Sequence, residues 1–107
     1  MSVRVYRNED VRRVVAFIPE GHRHVRVLVE FSDGIVVLQE ATVAAIMRAY
    51  IDVVTHPTRR TVELSSVRIK ERKEGYAEFQ LIETGRRESE VLEEIKRILN
   101  ITATREP

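Results

Sequence analysis

His24-Val25-Arg26-Val27-Leu28-Val29-Glu30-Phe31-Ser32-Asp33-Gly34-Ile35-Val36-Val37-Leu38 is the stretch on which the fold turns. Its first half alternates: Val25, Val27, Val29 and Phe31 fall on one side of an extended backbone, and His24, Arg26, Leu28 and Glu30 on the other. Ser32-Asp33-Gly34 then predicts a tight hairpin, because Asp-Gly suits the positive φ angles of the favoured two-residue turns. Residues 35–38 form the returning strand. Strands joined this closely pair antiparallel, so the sheet is antiparallel where it can be read best.

Upstream, Val3 and Val5 alternate with Arg4 and Tyr6 as a short first strand. Residues 11–18 are rich in β-branched side chains and end at the turn signal Pro19-Glu20-Gly21. Downstream, residues 40–55 read as a helix with Glu40 at its positive N-terminal end. Pro57 stops that helix by biasing His56 away from helical angles. Residues 61–71 are a strand whose apolar parity switches from Val62 and Leu64 to Val67 and Ile69, which predicts a bulge at Ser65-Ser66. Residues 72–75 turn the chain and 76–83 return. A last helix covers 87–99, with Val91, Leu92, Ile95, Ile98 and Leu99 on one stripe, and 102–107 form a frayed tail. The order βββ(β)-α-ββ-α predicts an α+β fold: an antiparallel sheet of four to six strands with two helices packed on one face. With no repeat or linker dividing it, the chain of 107 residues reads as one domain.

Composition narrows the function classes. At 43% hydrophobic and 33% charged the chain is neither disordered nor membrane-embedded, and no apolar run approaches the roughly 20 residues of a spanning helix. The first residues carry no hydrophobic signal core, so the expectation is a cytoplasmic protein with no membrane partner. The absence of cysteine excludes a thiolate nucleophile, a disulfide framework and Cys-ligated zinc. Fifteen Arg against three Lys, with only four Asn and Gln together, lean towards a thermophile. The guanidinium fork also matches phosphate and stacks on flat rings. Net charge is only +1, but residues 59–73 hold six basic and two acidic side chains, a local balance of +4.

Catalytic chemistry finds no foothold. The four glycines make no phosphate-cradling loop, and the serines lack a nucleophile-elbow context. His22 and His24 stand two apart without a second ligand pair, so solvated imidazoles are expected and no metal or cofactor. The helix 40–55 is the unusual element. Between Ala41 and Val54 only Arg48 and Asp52 are charged, spaced to pair one turn apart, and Val43, Ile46, Met47, Tyr50, Ile51, Val53 and Val54 overfill a single stripe. Such a helix needs cover on more than one side, whether from the sheet, from a homodimer partner or from flat ligands lying in a cleft. Next to it lies a basic hairpin in which Tyr76 follows Arg72 and Lys73, a combination that stacks a base while neutralising its phosphate.

The stretch Thr42-Val43-Ala44-Ala45-Ile46-Met47-Arg48-Ala49-Tyr50, with Thr55-His56-Pro57-Thr58-Arg59-Arg60 and Glu74-Gly75-Tyr76-Ala77-Glu78-Phe79, resembles the ThermoDBP-related proteins, a family of archaeal single-stranded DNA-binding proteins. The likeness covers roughly residues 24–83. It implies an antiparallel sheet backed by helices, an apolar cleft for the bases and a basic rim for the phosphates. The chain shows no long heptad extension after residue 100, which puts in doubt the coiled-coil dimer that longer relatives would imply. The expected function is non-catalytic, sequence-tolerant binding of single-stranded DNA or RNA. Candidate phosphate contacts are Arg59, Arg60, Arg68, Lys70, Arg72 and Lys73; candidate stacking groups are Tyr50, Tyr76 and Phe79, of which Tyr76 and Phe79 alternate between faces, and Arg48 is a further nucleic-acid-binding candidate. The competing expectation is a protein-interaction or assembly subunit, such as a homodimer, that uses helix 40–55 as an oligomer interface.

Overall fold

The computed structural model describes residues 3–71 and 77–105, with side chains up to residue 100. After a single 3-10 turn at Asn8–Asp10, the elements run β1 (Val11–Phe17), β2 (Arg26–Phe31), β3 (Gly34–Gln39), α1 (Glu40–Thr55), β4 (Leu64–Arg68), β5 (Phe79–Glu83) and α2 (Glu88–Arg105). The class is α+β with two helices. The strands, however, divide into two antiparallel sheets, β1-β2-β3 and β4-β5, where the sequence suggested one.

The decisive stretch behaves as its alternation demands. β2 pairs β3 from Arg26 opposite Gln39 to Phe31 opposite Gly34, leaving Ser32-Asp33 as a two-residue loop. The turn conformation is a correction: Gly21 is the one described residue with positive φ, so Asp33 and Gly34 stay on the ordinary side. The loop is held instead by outside bonds. Ser32 N–H donates to the Asp10 carbonyl at 2.9 Å, and the Asp33 carboxylate accepts from the Tyr6 hydroxyl at 2.9 Å. Gly21, at φ 79°, closes the turn between β1 and β2, where His22 N–H donates to the Pro19 carbonyl at 3.0 Å. Positive φ at the third turn position is what glycine permits at no steric cost.

Three further expectations are revised. Residues 3–7 form no strand; Tyr6 lies flat on Phe31, with ring centroids 3.9 Å apart and planes 16° from parallel. The bulge falls in β1, where the register shifts between Val11 and Arg13, while β4 pairs β5 without interruption from Leu64–Glu83 to Arg68–Phe79. α2 extends to Arg105. The expected turn at 72–75 lies outside the described residues.

α1 has the bounds read from the sequence, 40–55, and it packs near β2, β3 and β5. Cover is thin throughout: among the described residues only Ala45 (2% exposed) and Val91 (5%) are buried. Every residue of β2, the central strand, is half-buried on both faces. No described helix is long and apolar enough to cross a membrane.

Candidate nucleic-acid interface

Direct partners in an antiparallel pair project to the same side. On the β4-β5 hairpin that rule sets Leu64 with Glu83, Ser66 with Leu81, and Arg68 with Phe79 on one face. Ser65 with Ile82 and Val67 with Gln80 take the other. The Phe79 ring is 59% exposed and stands beside Arg68, whose Nε donates to the Glu78 carboxylate at 2.7 Å. One more backbone bond, from Ile69 N–H to the Glu78 carbonyl at 2.7 Å, continues the ladder past the paired residues. Lys70 follows, exposed. Of the candidates, the structure brings together the open Phe79 and its cross-strand partner Arg68, itself bonded to Glu78, near the end of a two-stranded arm.

The root of the hairpin uses its charges internally. Arg59 pairs with Glu83 and donates from Nε to the Thr61 carbonyl at 3.2 Å. Glu63 accepts from the Thr84 hydroxyl at 2.7 Å and lies 3.4 Å from Arg86, which also bonds Glu94 on α2 at 2.7 Å. Glu88 accepts the Arg60 backbone N–H, leaving the Arg60 side chain exposed. The Arg86 guanidinium is held above its ordinary value, chiefly by the Glu94 hydrogen bond. These groups surround a polar recess of about 70 Å³, bounded on its apolar side by Val91. It has room for a few waters but not for a nucleobase.

On α1 the candidates separate. The expected Arg48–Asp52 pair is not formed; Arg48 Nη2 donates to the Leu81 carbonyl on β5 at 3.1 Å. Two helical residues subtend about 200°, so Tyr50 projects from the side of α1 away from β5. It is 67% exposed. Tyr50 therefore does not converge with Phe79 and Arg68. Arg72, Lys73 and Tyr76 lie outside the described residues.

Sequence reasoning missed two groups. His56 Nδ1 accepts the backbone N–H groups of Arg59 (3.0 Å) and Thr58 (3.3 Å), shaping the exit from α1. Its place directly before Pro57 was the available signal. The Glu63–Arg86–Glu94 network had none, since it joins two elements through a loop whose geometry the residue types do not specify. Comparison with protein-family models, with curated proteins and with solved structures finds no match for this chain.

Proposed function

We propose that this chain is a non-catalytic binder of single-stranded nucleic acid, DNA or RNA, acting through the β4-β5 arm. The observation that carries the reading is the direct cross-strand pairing of Arg68 with the exposed Phe79. A base stacks on the ring, and its phosphate meets Lys70 and, in exchange for its Glu78 partner, Arg68, with Arg60, Arg72 and Lys73 as further contacts along the basic segment 59–73. Arg59 is committed to Glu83 and serves the arm's geometry more than the ligand. The composition supports a thermophilic, cytoplasmic setting, and the resemblance to archaeal single-strand binders points the same way.

Fluorescence anisotropy of labelled poly-dT, duplex DNA and single-stranded RNA at two salt concentrations tests the reading. Single strands are expected to bind more tightly than duplex, with affinity falling steeply as salt rises. Phe79→Ala removes a stacking platform worth about 1–3 kcal/mol, a loss of roughly 5- to 150-fold. Unchanged binding by Phe79→Ala, or tight binding indifferent to salt, refutes it.

A further inference from the structure

α1 is built with its large and small faces exchanged. At about 100° per residue, Thr42, Ala45, Ala49 and Val53 form one narrow side, and Ala45 on it is 2% exposed. With Val43 half-buried among them, Ile46, Met47, Tyr50, Ile51 and Val54 form a second side spanning about 140°. They are 53%, 56%, 67%, 49% and 61% exposed. A helix that packs on one layer turns its large apolar side chains inward. This one turns Ala45 and Ala49 inward and most of its large apolar residues out.

We propose that this outer stripe pairs with the same stripe of a second copy of the chain. Three observations select that occupant. The first is scale. The chain exposes 9255 Å², against about 6,100 Å² for a compact monomer of its 12.4 kDa, roughly 3,000 Å² in excess. A stable homodimer removes on the order of 800–2,500 Å² from each partner, an area that this exposed surface, spread over sheets and helices alike, can supply. The second is charge. The stripe contains no cation; Arg48 projects from the other side towards Leu81, so nothing within the stripe would hold a phosphate. A net charge of +1 also sets little repulsion between copies.

The third is symmetry. The apolar groups stand at 46, 50 and 54, four residues either side of Tyr50. Two copies crossing antiparallel about Tyr50 set Ile46 against the second copy's Val54 and the two tyrosines against each other. A self-complementary patch of this kind closes a two-fold dimer. The pairing is independent of the nucleic-acid reading, which uses the hairpin arm on the other side of α1.

The absence of cysteine makes the test direct. Tyr50→Cys under mild oxidant is expected to give a disulfide-linked dimer, whereas Asp52→Cys, on the charged side, is not. Sedimentation equilibrium of the unmodified chain is expected to return twice 12.4 kDa. Tyr50→Glu and Val54→Glu should raise the dimer dissociation constant by about a hundredfold or more while keeping the native circular dichroism, because a carboxylate is costly in an apolar seam. A monomeric mass at every concentration overturns the proposal. So does a dimer that survives Tyr50→Glu with no preference in cross-linking, which would assign assembly to another face. Loss of poly-dT binding by Tyr50→Glu in a chain that was monomeric throughout would assign the stripe to nucleic acid instead.

Discussion

Glu40 shows how one side chain joins two elements. Its carboxylate takes the Val25 backbone N–H at 3.3 Å and His24 Nδ1 at 2.6 Å, tying the entry of β2 to the first turn of α1. Those bonds, the Val25 one foremost, hold its pKa below the ordinary 4.5. The carboxylate's contribution is therefore fully present above the unfolded value and is lost as pH falls through the lower folded one. Glu40→Gln should melt below the parent at neutral pH, and the gap should close as pH drops under 4.5, followed by circular dichroism. A gap that widens in acid would contradict this assignment. The sequence placed Glu40 at the helix start for its dipole; the partners supplied by residues 24 and 25 were not legible, because they depend on how the chain enters β2.

Elements were legible in proportion to how well each has one inside. The β2-β3 hairpin and α1 came out where the pattern put them, since alternation and the Glu40 and Pro57 boundaries act locally. The parity switch in β4 was misread as a bulge because a strand was assumed to obey one buried face. β4 has no such face: Leu64 is half-buried and Val67 is 42% exposed, so each parity serves a different side of an open ribbon. Arg68 and Phe79 were both read as candidates, but their cross-strand pairing was not, since its register depends on the length of a turn. α2 is tied near its start by Arg86 and the buried Val91, while Leu92, Ile95 and Leu99 are 39%, 44% and 49% exposed. Amide exchange should accordingly be slowest around Val91 and rise towards Asn100. Uniform protection along the helix would mean that something covers its distal stripe.

For the molecule as a whole, a Cα radius of gyration of 16.4 Å exceeds the roughly 13 Å of a compact chain this long. A chain that buries so little alone gains stability by association, so its melting temperature should climb with protein concentration. A melting temperature that is flat over a wide concentration range would mean the isolated chain is stable as it stands. The α+β class and antiparallel pairing were readable from local pattern. The split into two sheets was not, because the residues that separate them, 56–63, carry no signal for the direction in which the chain leaves α1.

Arg48 was read as a candidate nucleic-acid contact, yet its guanidinium sits on the Leu81 carbonyl of β5. In a two-stranded ribbon that strand has an outer edge with no neighbour, and open edges recruit further strands from other molecules. A cation parked on an edge acceptor blocks that recruitment. Arg48→Ala should leave the fold in place but make concentrated samples grow turbid and thioflavin-positive on standing. At this edge the guard is an arginine reaching across from a helix.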